Sequence, residues 1–157
     1  MLPEGPNSFR EEKEMKARTA TVGDLEAVFR NLSNRLSEEY VSAGLGTRAV
    51  QDGLTMDLKE GRAHSLVEGD EAVAIIAWHE SDGVAHTVFA AKDDFFSAAT
   101  VRFCKRHVRR IQALTGNLPF RHESWLAHPD AVKWFRIIGF VERSRQPGNT
   151  LFELPPA

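Results

Sequence analysis

The sequence predicts an α+β domain whose central sheet is mostly antiparallel. Three apolar segments of strand length follow one another over 63–91, separated only by a Gly-Asp turn and a Ser-Asp-Gly turn. This arrangement is typical of consecutive antiparallel strands. The longest amphipathic segment, over 94–114, then leads to another strand, so one junction in the sheet is expected to be parallel. Two final strands flank Gln146-Pro147-Gly148-Asn149 and form a closing hairpin.

The first part of the chain predicts one short strand and two or three helices. KARTA at 16–20 is strand-like. Thr21 followed by Asp24 is a capping pattern, in which a hydroxyl and a carboxylate satisfy free N–H groups at a helix start. Apolar residues then recur at helical spacing, at Leu25, Val28, Phe29 and Leu32. Two further helices are expected over 33–44 and 47–59, and both end at glycine-containing turns.

The second part predicts the sheet and two more helices. The expected strands lie at 63–68, 71–80, 84–91, 120–126, 140–144 and 150–154. The long helix at 94–114 has an apolar face. That face is formed by Val101, Cys104, Val108 and Ile111. Proline at the first helical position favours a short helix from His128-Pro129-Asp130 to Gly139.

Composition places the chain among single-domain globular proteins. It has 157 residues, of which 42% are hydrophobic and 27% are charged, and this balance suits one folded domain. Residues 1–15 are polar and are expected to form a tail ahead of a domain over 16–157. Twenty basic and twenty-two acidic residues leave a formal charge of −2, which argues against nucleic-acid binding through bulk charge.

The same composition predicts a cytoplasmic protein. Cys104 is the only cysteine, so no internal disulfide is available and a reducing compartment is expected. No apolar segment approaches the roughly 20 residues that cross a bilayer. The N-terminal segment lacks the apolar stretch of a signal peptide.

Two segments carry a resemblance to a known family. AVKWFRIIGF at 131–140 resembles the late helix and following strand of GCN5-related N-acetyltransferases (GNAT), and ARTATVGDLEAV at 17–28 resembles their opening strand and helix. The similarity in element order covers 16–154. It implies helices on both faces of the sheet and transfer of an acyl group from acetyl-CoA to an amine.

A narrower resemblance points to bacteriophage proteins. VRFCKRHVRRIQAL at 101–114 and KWFRIIGF at 133–140 are similar in style to the acetyltransferase-like proteins of short-tailed phages, including their small internal virion protein. In that case the host cytoplasm and the virion are the expected locations.

The GNAT resemblance implies a glycine-rich turn that holds the diphosphate of acetyl-CoA at the start of the long helix. This chain has Ala91-Lys92-Asp93-Asp94-Phe95 there, without a glycine. Two carboxylates repel phosphate, so Asp93 and Asp94 are interpreted as caps of their own helix. Phe95 and Phe96 are expected to fill the cleft beside this degenerate turn.

Two further family positions also differ. An asparagine usually precedes the small residue of the late helix by three positions, and His128 stands there. The tyrosine that usually protonates the departing thiolate, four positions after the small residue, is replaced by Phe135. The chain's single tyrosine, Tyr40, lies in the helical region before the sheet, and sequence alone does not place it near this junction.

Few other residues suggest catalysis. If the chain is active, Glu80, Glu123 and His128 are the candidates for acid–base roles, since strand-end carboxylates can accept a proton from an incoming amine. The six histidines show no spacing typical of metal ligands. No metal site is therefore expected.

The long helix carries a basic run. Its members are Arg102, Lys105, Arg106, Arg109 and Arg110. No aromatic residue interleaves with this face, which makes nucleic acid an unlikely ligand. Together with the acidic tail, the run predicts docking onto a protein partner or a second copy of the chain.

Two functional hypotheses follow. The first is a noncatalytic interaction or structural protein that is derived from a phage and uses no cofactor. One version of this hypothesis places the protein in the virion. The alternative is an acyl-CoA-dependent N-acetyltransferase with an atypical cofactor loop. The altered turn and the missing tyrosine favour the first hypothesis, because fold alone does not determine activity.

Overall fold

The structure is a computed structural model that describes residues 14–95, 98–125 and 129–157. The side chains at 94, 98–99 and 129–131 lie outside this description. The predicted tail falls almost entirely in the part not described, as do Phe96 and His128.

The observed helices and strands follow the predicted order. The strands are β1 (Met15–Thr19), β2 (Ala63–Glu68), β3 (Glu71–Ser81), β4 (Val84–Ala91), β5 (Phe120–Ser124), β6 (Val141–Gln146) and β7 (Asn149–Leu154). The helices are α1 (Val22–Arg30), α2 (Asn34–Ser42), α3 (Thr47–Lys59), α4 (Ala98–Leu114) and α5 (Pro129–Ile137). One difference matters for the site: α4 begins at Ala98 rather than at 94, and a 3₁₀ turn over Asp93–Phe95 precedes it.

Within the described residues, the strands form one sheet in the order β1-β2-β3-β4-β5-β7-β6. Every neighbouring pair is antiparallel except β4 and β5, which are parallel. The α+β prediction with one parallel junction is therefore confirmed.

The helices cover both faces of the sheet. Adjacent residues of a strand point to opposite faces, and β2 shows which helix lies on each. The Ser65 hydroxyl donates to Asp24 of α1 at 2.8 Å, whereas His64 Nδ1 lies 3.0 Å from His107 Nε2 of α4. Helices α1 to α3 thus share one face, and α4 lies on the other.

Asp24 of α1 joins its helix to β1 and β2. Its backbone N–H bonds to the Thr21 hydroxyl at 3.1 Å, completing the predicted cap, and Arg18 of β1 lies 2.6 Å from its carboxylate. Burial alone would raise the pKa of Asp24, but hydrogen bonds from Arg18, Ser65 and Thr21 outweigh burial and lower it. A buried carboxylate is tolerated here because several donors satisfy it.

Gly139 ends α5 with a φ of +108°, a conformation that side-chain-bearing residues rarely adopt. A Cβ added there would lie 3.2 Å from Leu154 Cδ1 of β7. Trp134 and Ile138 are buried just before it. The chain therefore needs glycine at this position for its backbone conformation and for the close approach of β7.

Gly139→Val should lower the free energy of unfolding by about 2–4 kcal/mol, since it combines an unfavourable φ with a steric clash. Gly148→Val is the matched control, because Gly148 has a φ of +77° but no atom of the described chain within 4 Å of its Cβ position. Urea denaturation should show a larger loss for Gly139→Val. Equal losses would mean that the Leu154 contact contributes nothing.

A histidine pair attaches α4 to the sheet. His107 is buried and stacks on Phe103 with ring centroids 5.9 Å apart, while His64 meets Trp78 edge-on at 5.1 Å. Burial, and then the charges of His64 and Arg110, lower the pKa of His107 to about 4. Burial also lowers the pKa of His64. The folded protein therefore favours a neutral pair.

Stability should fall as the pH drops from about 6.5, the pKa of an unfolded histidine, towards 4. Over that range His107 is protonated in the unfolded chain but stays neutral in the folded protein. The contribution of neutral His107 to the free energy of unfolding is therefore complete above pH 6.5 and lost near pH 4. Urea melts from pH 8 to 4 should show a flatter profile for His107→Leu. The exposed, non-titrating Ser81 provides the control, and Ser81→Ala should leave the profile unchanged.

Candidate functional site

The parallel strands β4 and β5 separate soon after they meet. Their pairing is limited to Ala85 with Phe120 and His86 with Arg121. Thr87 ends it, because its hydroxyl donates to the Arg121 carbonyl at 3.1 Å and lies 3.2 Å from His122 Nδ1. Beyond Thr87 the two strands form the arms of a V-shaped gap, which we call the β4–β5 gap.

Helix α2 spans the β4–β5 gap with two adjacent residues. The Tyr40 hydroxyl donates to the Phe89 carbonyl of β4 at 2.6 Å. Glu39 accepts the backbone N–H of Trp125, just after β5, at 3.0 Å. Both side chains are buried. Burial, and to a lesser degree the charge of Glu39, raises the pKa of Tyr40, so its hydroxyl keeps its proton.

Sequence reasoning did not place Tyr40 at this junction and did not single out Glu39. The only available signal was that Tyr40 is the one tyrosine of the chain. Its partner Phe89 is 49 positions away, and Trp125 is 86 positions from Glu39. No local spacing could have indicated either contact.

A cavity of about 550 Å³ opens beside the gap, between the sheet and helices α2 and α3. Its volume is within the range of small-molecule sites, about 300–1,000 Å³. Its wall combines apolar helix residues with polar strand residues. The lining residues are Leu36, Glu39, Tyr40, Ala43, Leu45, Ala49, Val50, Gly53, Leu54, Asp57, His79, His86, Thr87, Val88, Phe89, Arg121, His122, Glu123 and Trp125.

The turn after β4 differs from the sequence interpretation. Asp93 accepts the N–H of Asn34 at 3.1 Å, so it caps α2. That it also caps its own helix stays a prediction, because residues 96–97, whose N–H groups such a cap would bind, lie outside the described part. Lys92 is buried and paired with Glu71. Phe95 is 1% exposed and packs against Phe89 and Trp134 on the α4–α5 side of the sheet, rather than in the cavity. Burial of Phe95 holds this turn against the core. The side chain of Asp94 is outside the described part.

These features allow a test of the cofactor that the fold implies. Ala85 directs its N–H to the Pro119 carbonyl beside β5, and strand alternation therefore points the N–H of Phe89 towards the gap. The same edge of Ala91 faces the α1–α2 connection, whose Ser33 N–H donates to the Ala91 carbonyl at 2.9 Å. The edge at Phe89 suits the amide-bearing arm of acetyl-CoA. The glycine-rich cradle for its diphosphate has no counterpart in Ala91–Phe95.

The structure brings only one candidate acid–base residue to the cavity. Glu123 of β5 lines it and is exposed, whereas Glu80 lies exposed at the end of β3, away from the lining. His128 lies outside the described residues. Phe135 is buried and stacks on His122 at 4.5 Å.

The basic run of α4 is only partly exposed. Arg102, Lys105, Arg106 and Arg110 are exposed. Arg109 instead donates to Gln112 at 2.6 Å and to the Pro155 carbonyl at 2.7 Å, so it secures the C-terminal segment. Cys104 is buried in the helix's apolar face, and burial raises the pKa of its thiol.

Within the described ranges 14–95, 98–125 and 129–157, no helix is long and apolar enough to cross a membrane. No three histidine, cysteine, aspartate or glutamate side chains within these ranges converge as metal ligands would.

No family model and no curated protein matches the sequence, but solved structures do match the fold. PaiA N-acetyltransferase from Thermoplasma acidophilum, in complex with coenzyme A, has a TM-score of 0.71 and 11% identity over 92% of this chain and 99% of its own. The chain has the GNAT fold. The ribosomal-protein-S18-alanine N-acetyltransferase from Escherichia coli (TM-score 0.66, 12% identity, 92% and 95% covered) is another GNAT-fold match. A GNAT superfamily phosphinothricin acetyltransferase from Sinorhizobium meliloti in complex with AcCoA also matches the fold. Its TM-score is 0.66 and its identity 11%, over 90% of this chain and 88% of its own.

These matches correct two expectations. The hypothesis of a noncatalytic, phage-derived structural protein is wrong, because the structures sharing this GNAT fold are acetyltransferases. The expectation that no cofactor is used is also wrong, since two of these structures contain coenzyme A or acetyl-CoA. The matches do not show the phage resemblance.

Tyr40→Phe should lower the free energy of unfolding by about 1–3 kcal/mol, because it leaves the Phe89 carbonyl without its hydroxyl donor in a buried position. Chemical denaturation measures the loss. Thr55→Ala is a matched control, since the Thr55 hydroxyl bonds only to the Gln51 carbonyl within α3. A loss no larger than that of the control would contradict the bracing role of Tyr40.

Proposed function

We propose that this chain is an acyl-CoA-dependent N-acyltransferase that acylates a primary amine. The observation that carries the proposal is the β4–β5 gap opening directly onto the 550 Å³ cavity, with Glu123 in the cavity wall. The acyl donor would enter the gap and the amine would occupy the cavity. This arrangement brings two substrates together at the Thr87 end of the gap, which favours transfer between them.

When bound, acyl-CoA supplies a thioester, whose acyl carbon can accept an amine nitrogen as the C–S bond breaks. The N–H of Phe89 would hold the amide-bearing arm along β4. Asp93 is committed to α2, and Lys92 to Glu71. The turn therefore offers the diphosphate little, and donor affinity would depend mainly on the β4 edge.

The chain's own residues supply two proton-transfer groups. Glu123 is the proposed base, since its carboxylate lies at the cavity wall and can take a proton from the incoming ammonium group. Tyr40 is the proposed proton donor at the gap. Its raised pKa keeps the proton on Oη, and the hydroxyl would have to turn from the Phe89 carbonyl, to which it donates at 2.6 Å, to reach the departing thiolate.

An interaction surface on α4 is proposed separately. Arg102, Lys105, Arg106 and Arg110 form an exposed basic face, and an acidic protein surface is the partner that this charge would favour. Arg109 is left out because of its contacts with Gln112 and Pro155.

Calorimetry with acetyl-CoA, and thiol release in the presence of a panel of primary amines, test the enzymatic proposal. Glu123→Gln should lower kcat/KM by about 100-fold or more, in line with loss of a general base. Glu80→Gln is the matched control, being another carboxylate near a strand end, and should retain full activity. Absence of both acetyl-CoA binding and thiol release in the wild type would overturn the proposal.

A further inference from the structure

Helix α3 has a glycine in its interior where the cavity lies. Gly53 is in the middle of Thr47–Lys59, and a Cβ there would meet no heavy atom of the described chain within 4 Å. Glycine inside a helix costs about 1 kcal/mol relative to alanine. Since nothing in the described fold requires glycine at this position, the missing side chain leaves room on the cavity side of α3.

Most of the wall around Gly53 is apolar. The apolar lining residues of α2, α3 and their connection are Leu36, Ala43, Leu45, Ala49, Val50 and Leu54. Such a wall stabilises a ligand in proportion to the apolar area that the ligand buries. A ligand made only of charged and polar groups would gain little from it.

Charge is distributed unequally between the two ends of the cavity. Glu39 and Glu123 lie at the β5 end. Asp57 lies at the β3 end near His79, and Arg62 Nη2 is 3.7 Å from its carboxylate. Arg62 also pairs with Glu60, so it compensates Asp57 only in part, and burial raises the pKa of the Asp57 carboxyl. The β5 end has two lining carboxylates and the β3 end has one, so more of the negative charge that a ligand meets lies near β5.

Arg121, which also lines the cavity, pairs with Glu153 at 3.1 Å, but Glu153 is shared with Arg143 at 3.1 Å. Arg121 therefore offsets part of the negative charge near β5, where Glu39 and Glu123 still outnumber it. The two ends lie on either side of β4, roughly 10 Å apart at two strand spacings. One end therefore attracts a cation, and the space leading away from it is apolar along α2 and α3.

We propose that this cavity binds a hydrophobic monoamine: one protonated primary amino group on a compact aryl-alkyl or branched alkyl body. The ammonium lies at Glu39 and Glu123, and the body lies against α2 and α3 with Gly53 providing its space. That the amine is then acylated rests on the proposed function; its binding rests on the cavity alone. A polyamine would place its second charge near Asp57, where Arg62 already supplies one.

Calorimetry of the full chain without any acyl donor tests the proposal. The probe is 2-phenylethylamine, and the comparison ligands are 2-phenylethanol, which lacks the charge, spermidine, which lacks the apolar body, and a blocked lysine peptide. We expect 2-phenylethylamine to bind at least tenfold more tightly than each of the three. Glu123→Gln should weaken its binding, and should leave binding of 2-phenylethanol unchanged.

Variants at Gly53 separate cavity volume from helix stability. Gly53→Ala should raise the melting temperature through its helix propensity and leave the dissociation constant within about twofold. Gly53→Phe should weaken 2-phenylethylamine binding at least tenfold by filling the cavity, with unchanged circular dichroism. Gly53→Leu is a smaller alternative if the phenylalanine variant does not fold.

Equal or tighter binding of spermidine or the peptide, or unchanged binding in the larger Gly53 variants, would overturn the assignment. Since the donor is omitted, binding of the amine without subsequent acyl transfer would count only against the proposed function. Transfer to a polyamine or peptide in preference to 2-phenylethylamine would count only against this inference.

Discussion

The separation of β4 from β5 is the constraint on which the rest of the site depends, and α2 maintains it. Two parallel strands that have begun to pair would continue to do so, because each unpaired N–H and carbonyl has a cost when buried. Tyr40 and Glu39 satisfy one group on each arm, the Phe89 carbonyl and the Trp125 N–H. Since both residues belong to one helix, the width of the gap is set by a rigid element.

The opposite face of the sheet closes the narrow end of the gap. His122 is buried and stacks on Phe135, which in turn stacks on Phe152 at 4.9 Å. Burial lowers the pKa of His122 and keeps its ring neutral. The ring can therefore share a hydrogen bond with the Thr87 hydroxyl. The pairing of β4 and β5 thus ends at Thr87 and His122, where Phe135 and Phe152 pack beneath the His122 ring.

The turn between β4 and α4 takes part in the same construction. Asp93 caps α2, and the N–H of Ser33 donates to the Ala91 carbonyl at 2.9 Å. In the GNAT resemblance, the turn after β4 is the segment expected to hold the diphosphate. In this chain the same turn is hydrogen-bonded to α2 and to Ser33 just before it. The turn after β4 and the cavity are therefore linked through α2, which contacts both.

Local pattern by itself determined the elements, their order and the parallel junction, because periodicity and turn residues act over a few positions. The Thr21–Asp24 cap and the conformation of Gly139 belong to this class. Only the tertiary structure decided the site. Tyr40, Glu39 and Asp93 take partners 49, 86 and 59 positions away, and those contacts exist because α2 packs across the ends of β4 and β5. Long-range packing has no local signature. The sequence therefore places Tyr40 in a helix before the sheet but does not show that its hydroxyl bonds to Phe89 at the gap.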